Sequence, residues 1–357
     1  MTKHNDTPLL STTQCTALRG LAILGIFLHN YCHWLGGIVQ ENEYTFAAAN
    51  CRRLVEVAAS PDALLPVHLL SFFGHYGVPV FLFLSAYGLV MKYERGGAPV
   101  PATLPFMRYH YLKLFKMMMV GFVAFTIVDA ITPGPYRYSV VKIVAMLGMF
   151  NNLLPSPDRV IWPGPYWFFG LMLQLYLVYR LVICRRGWLP LALLVVACWG
   201  LQAVCGPESE TLNRLRYNCI GGVMPFALGI VAARYGCALR KGAWAAVLVG
   251  SALAIVAFSL SYQLWFWVPL FVCAFAVALA KVWPASVSAH WVLWLGRVSA
   301  ALFVIHPVAR KVFIPVSRRG DVYTGLLLYI IASVALAWLC SEVMKKIPGP
   351  KKENVKA

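Results

Sequence analysis

Residues 16–37 read TALRGLAILGIFLHNYCHWLGG. A mainly apolar run of this length is enough to cross a hydrocarbon core, which takes about twenty residues of helix. Inside it sit Arg19, His29 and His33. Ionisable side chains are costly in lipid, so each one inside a spanning helix is a functional candidate by default. Arg19 lies near the start of the run and His29 deeper. His33 follows one turn later on nearly the same helical face. On an ideal helix Arg19 and His29 are about 15 Å apart along the axis and about 80° apart around it. A cation near one surface and an imidazole well inside suggest anion binding followed by proton transfer.

The rest of the chain continues the pattern. Its 357 residues are 60% hydrophobic and only 12% charged, against about 25% charged in soluble domains. This composition reads as an all-α, polytopic transmembrane helical bundle. Residues 1–357 form a single membrane-embedded domain, with short polar tails at 1–16 and 345–357. The first sixteen residues are polar, and the run after them has no clear small-residue cleavage site, so no signal peptide is expected. A net charge of +18 would raise nucleic acid as a partner of a soluble protein. Here the basic residues fall in short loops between apolar runs, so membrane lipid is the expected partner and nucleic acid is not. The ten cysteines show no CxxC pair and no metal-type spacing with histidine, so no metal is expected. Most lie in apolar runs and read as small buried hydrophobes. Cys205 and Cys219 flank an outer loop and are the pair a disulfide could join.

Ten spans are expected, at roughly 17–38, 71–91, 114–132, 166–184, 188–205, 218–234, 243–260, 264–281, 292–314 and 322–343. An eleventh candidate, 139–153, is short and carries Lys142, Asn151 and Asn152. With ten spans, the basic loops 92–113, 185–187, 235–242 and 282–291 fall on one side with Lys345, Lys346, Lys351 and Lys352. The positive-inside rule makes that side cytoplasmic and puts both termini there. Segment 139–153 is then a short or re-entrant outer helix. Arg318 and Arg319 fall outside against the rule. The outer segments 40–70 and 133–165 are the only long non-spanning pieces, and a substrate-facing surface would be built from them.

Further polar groups punctuate the spans. The second reads HLLSFFGHYGVPVFLFLSAYGLVMKYE, with Gly74, Gly77, Ser85 and Ala86 as surfaces for close helix approach. Pro79 there kinks the helix or ends an irregular segment. His75 lies near its outer end. Arg108, Lys113 and Lys116 in FMRYHYLKLFKMM form a basic cluster able to hold phosphates, or simply an anchor at the third span. Gln174 is the one strongly polar side chain deep in its span, either a donor to a substrate carbonyl or glue between helices. Near the end, LGRVSAALFVIHPVARKVF carries Arg297, Ser299 and His306. Arg297 and His306 point about 180° apart on an ideal helix, unless Pro307 distorts it.

Four segments, spread from end to end, give the chain a likeness. They are LRGLAILGIFLH (Leu18–His29), GHYGVPVFLFLSAYGL (Gly74–Leu89) followed by FMRYHYLKLFK, MPFALGIVAAR (Met224–Arg234) and LGRVSAALFVIHPV (Leu295–Val308). In this order, with ten spans, the chain resembles the integral-membrane acyltransferase family 3, whose members typically O-acylate sugars. The resemblance implies an acyl-coenzyme A donor, usually acetyl-CoA, on the cytoplasmic side of a bacterial cytoplasmic (inner) membrane. It implies a glycan or lipid-linked sugar acceptor. The family's first-helix Arg and His match Arg19 and His29, with nine residues between them where the family usually has ten. The family's SG is Ser85-Ala86 here, and its acidic residue after the middle Trp has no counterpart unless Gln174 substitutes.

The expected chemistry follows. Arg19, Lys113 and Lys116, with Arg108 beside them, hold the coenzyme A phosphates. His29, with His33 in reserve, is general base or acyl carrier. Asn30, Ser85 and Gln174 are candidates for the oxyanion, and His306 for orienting the acceptor. The alternative is a transporter or flippase of a glycan or lipid precursor. Against it stands the lack of an internal repeat or paired interrupted half-helices.

Overall fold

A computed structural model of the chain describes residues 7–96, 99–284 and 289–350. Lys351, Lys352 and part of the 282–291 loop lie outside the described residues. Among those described, helices are the regular elements and there is no strand. Seven helices are long and apolar enough to cross a membrane: Thr12–Cys32, Leu65–Arg95, Thr103–Ile131, Gly164–Ile183, Lys241–Ser259, His290–Arg318 and Val322–Lys346. The pair Glu210–Arg216 and Cys219–Tyr235, bent by 40°, makes up to eight. Trp188–Ala203 and Val268–Val282 are apolar but shorter. Every expected span thus coincides with a helix, while fewer than ten meet the length of a full crossing. Segment 139–153 holds only the helix Val140–Leu147 and a 3-10 turn, Asn151–Leu153. Eight residues rise about 12 Å, too little to cross.

Several boundaries differ from the sequence reading, each for a local reason. The first helix begins at Thr12 because Ser11 and Gln14 close a capping box: Gln14 N–H donates to Ser11 Oγ and Ser11 N–H to Gln14 Oε1. It ends at Cys32, six residues before the expected end. The chain then turns through Gly36 and Gly37, the latter at φ +75°, where a side chain would be strained. This early turn sends Glu41 back toward the helix end. The third long helix starts at Thr103, so FMRYHYLKLFK is helical rather than loop. Its Leu, Met, Arg and Lys are good helix formers, and Pro105 sits in the first turn where its missing N–H costs nothing. The loop before 218–234 likewise contains the helix Glu210–Arg216, capped by Ser209.

The second span is broken. Helix Leu65–Phe73 gives way to a 3-10 turn, Gly74–Tyr76, and then to helix Gly77–Val90, with Pro79 in its first turn. Small residues let this break press on the first helix. A Cβ on Gly74 would come within 2.6 Å of both the Gly25 carbonyl oxygen and His29 Cβ. The helix His290–Arg318 packs along the other side of the first helix, where Gly296 meets the Thr16 backbone. Cys205 and Cys219 are free thiols, not a disulfide.

At one end of the bundle Arg234 binds Glu94 through two hydrogen bonds of 2.7 and 2.9 Å. Arg234 also donates to the carbonyls of Ile183 and Arg186. The Tyr179 hydroxyl adds a bond to the same carboxylate. Three helices are tied there by a nearly buried charge pair, which is stable only because its remaining donors are satisfied. The arginine of MPFALGIVAAR is therefore structural. At the opposite end, Lys311 pairs with buried Asp129 at 2.8 Å, and Arg318 donates to the Trp34 carbonyl.

Candidate active site

Two polar cavities lie along the first helix, an outer one toward its His29 end and an inner one toward its Arg19 end. The outer one, about 260 Å³, is lined by His29, Asn30, His33, Trp34, Glu41, Glu43, Tyr44, His75, Asp158, Trp162, Trp167 and Arg310, among others. Segments 40–70 and 133–165 supply part of its walls, through Glu41, Glu43, Asp158 and Trp162, and the long helices supply the rest. Three tryptophans around carboxylates and imidazoles offer stacking faces beside hydrogen-bond partners.

His29 is buried, and its Nδ1 lies 2.7 Å from the Ser71 carbonyl oxygen, at the broken second span. A carbonyl only accepts, so Nδ1 carries the proton and Nε2 is the basic nitrogen. His33, one turn on, donates from Nδ1 to Glu41 Oε1 at 3.0 Å. The two imidazole centres are 4.6 Å apart, and His75 sits 5.5 Å from His29. Glu41, His33 and His29 thus form a short file running inward. Their ligand-type atoms lie within 4.8 Å of one another, the one such grouping among the described residues that a metal ion could use.

Two carboxyls in this cavity are pushed in opposite directions. Burial raises the Glu41 group, but the charge and hydrogen bond of His33 outweigh it, with His29 behind, and hold it well below the usual carboxylate range. Burial pushes Glu43 up, and the Glu41 charge adds to this, to about 8. Near neutral pH, Glu41 is an ionised acceptor and Glu43 a neutral donor. The Glu43 backbone is fixed by Arg216, whose guanidinium donates to the Glu43 carbonyl at 2.8 Å and stacks on Trp265.

Arg310 is the cation of this cavity. It is buried, donates to the Asn30 carbonyl at 3.1 Å and lies over Trp34. Among the described residues no carboxylate stands at ion-pair distance from it. A buried guanidinium without a counter-ion favours an anion arriving beside it.

The inner cavity, about 320 Å³, is lined by Arg19, Ser85, Lys113, Met117, Tyr176, Arg297 and Ser299, with apolar groups between them. No acidic residue lines it. Ile26, Val78, Phe168 and Phe303 line both cavities, so the boundary between them is apolar.

The expected site residues divide accordingly. His29, His33 and Asn30 line the outer cavity, and Arg19, Ser85 and Lys113 the inner. The Asn30 side chain donates back to Ile26 O. Arg19 and His29 therefore do not share one space, as their angular separation on the helix foreshadowed. Arg108 and Lys116 line neither cavity; Lys116 bonds the Ile347 carbonyl instead. Gln174 is glue: it bonds Asn218 Oδ1 at 2.8 Å and Asn152, and accepts from Cys219 N–H. His306 is fully buried, with Nδ1 on the Leu302 carbonyl at 3.0 Å, and reaches neither cavity. Glu41, Glu43, Asp158 and Arg310 were missed. The available signals were the scarcity of acids, 13 in the whole chain, two of them two positions apart just past the first span, and an arginine four residues beyond His306.

Among known proteins, no curated sequence and no solved structure matches this chain. The family model described as an acyltransferase domain matches residues 15–342, nearly the whole length. This chain, an integral membrane protein, belongs to that acyltransferase family.

Proposed function

We propose that this acyltransferase carries an acetyl group from acetyl-coenzyme A, bound at the cytoplasmic face, to a hydroxyl of a cell-surface glycan or lipid-linked sugar. The membrane is the bacterial cytoplasmic (inner) membrane, with both termini in the cytoplasm. The observation that carries this reading is the chemical contrast between the cavities. The inner one presents Arg19, Lys113 and Arg297 with no acid, which suits phosphates. The outer one presents histidines, carboxyls and tryptophans, which suits a sugar hydroxyl.

His29 Nε2 takes the proton of the acceptor hydroxyl as that oxygen attacks the thioester carbonyl. Arg310, with Asn30 held against it, faces the developing oxyanion. The intermediate collapses, the C–S bond breaks, and the imidazolium returns the proton to the coenzyme A sulfur. The Glu41 carboxylate, beyond His33, compensates the charge that appears on His29. The products are the sugar ester and free coenzyme A.

The test incubates purified protein with radiolabelled acetyl-coenzyme A and a glycan or lipid extract. Label is expected on sugar hydroxyls, lost in His29→Ala and reduced but present in His33→Ala. No transfer and no thioester hydrolysis by folded protein would overturn the assignment. Transfer kept in His29→Ala and lost in His33→Ala would move the base to His33.

A further inference from the structure

Ile26, Val78, Phe168 and Phe303 come from four different helices and meet between the two cavities. The Phe168 and Phe303 rings are 5.3 Å apart and inclined at 60°. Nothing polar is contributed by these side chains, so the stretch where the two polar spaces meet is apolar. An acyl group moving from the inner cavity to His29 has to pass here, because His29 lies one turn beyond Ile26 on the same helix.

These four side chains sit where their helices are weakest. Val78 is the second residue of Gly77–Val90, directly after the 3-10 turn Gly74–Tyr76. Phe168 is the second residue of Trp167–Val178, directly after the 3-10 turn Gly164–Tyr166. Phe303 lies four residues before Pro307, which has no N–H to give the Phe303 carbonyl. The Ile26 carbonyl is shared with the Asn30 side chain at 2.9 Å. Helix starts and proline gaps are where small rotations cost least.

We infer that Ile26, Val78, Phe168 and Phe303 form an acyl gate that admits small acyl groups and rejects bulky ones. The inference rests on the two-cavity reading of function above. A thioester enters acyl end first, so the gate selects by width across the chain rather than by length. Acetyl passes when one phenyl ring turns aside; a branched or aromatic acyl group needs both rings displaced.

The experiment compares acetyl-, isobutyryl- and benzoyl-coenzyme A as donors to methyl glycosides, with the full-length protein in nanodiscs. The wild type is expected to prefer acetyl over benzoyl by at least about 10-fold, the scale of a steric mismatch in a pocket. Phe168→Ala and Phe303→Ala are expected to narrow that ratio by about 10-fold, and the Leu variants by less. A gain with benzoyl cannot come from misfolding. Should an Ala variant lose acetyl transfer, the Leu variant at that position decides by the same ratio. Acetyl transfer persisting with unchanged donor ratios overturns the gate and leaves the proposed function standing. No transfer by wild type from any donor overturns the function, and the gate with it.

Discussion

The two cavities are built on the same helix and share four side chains, yet they hold opposite chemistry. The inner space has cations without acids, and the outer has three carboxyls, three imidazoles and a guanidinium. A site for one substrate would mix these groups. On the proposed function, holding the donor phosphates and moving the proton are separate tasks, done on opposite sides of Ile26. Substitutions should therefore sort by cavity: outer ones act on turnover, inner ones on donor affinity.

Beyond His29, the largest expected effect is at Arg310. Arg310→Ala should lower kcat by about 10²–10³-fold, the loss typical of one oxyanion donor, with KM for acetyl-coenzyme A little changed. A change confined to the donor KM would place Arg310 with the inner cations and break the division. Next is Glu41→Gln, which keeps the shape but removes the charge behind His33. A kcat lower by about 10–100-fold is expected, as for a partner that orients another group. Full turnover would reduce the Glu41–His33 pair to packing.

On the inner side, Arg19→Ala should raise KM for acetyl-coenzyme A about 10-fold, from the loss of about 1.5 kcal/mol of charge-assisted bonding, and leave kcat near wild type. Lys116→Ala, outside the cavity, is its control and should stay within about 2-fold. Equal effects of the two would mean that charge near the membrane, rather than the cavity, attracts the donor.

The smallest effect is a pH dependence. The Glu43 value is raised in the folded state from an ordinary 4.5 to about 8. Its contribution to stability is therefore full at low pH and is lost as pH rises across that interval. Above about pH 8 Glu43 also stops donating and repels Glu41, so acceptor KM should rise there. Thermal unfolding and acceptor KM measured from pH 5 to 9 should both lose this slope in Glu43→Gln. A slope unchanged in the variant assigns it to another group. Glu41, held low, stays ionised over the whole window.

Much of this was readable along the chain. Arg19 and His29 stood out because lipid makes charge conspicuous, and Gly74 and Gly77 marked the close approach that seats His29. The basic cluster read less well. Arg108, Lys113 and Lys116 look alike in sequence, but only Lys113 lines the inner cavity. Gln174 carried two readings that local sequence cannot separate, since either needs a partner from elsewhere. Asn218, 44 positions away, decides it.

The sequence by itself determined the membrane-embedded helical bundle and the family, and it singled out Arg19 and His29. Each depends on hydrophobicity, run length and motif order, which are properties of neighbours along the chain. Only the tertiary structure decided that Arg19 and His29 open into different spaces, that Ser71 fixes the His29 proton and that Glu41 and Arg310 join the site. Those facts depend on helices meeting face to face at glycines and at a broken span. The His29–Ser71 contact joins positions 42 apart and the Arg310–Asn30 contact positions 280 apart, and no periodicity within one helix records them.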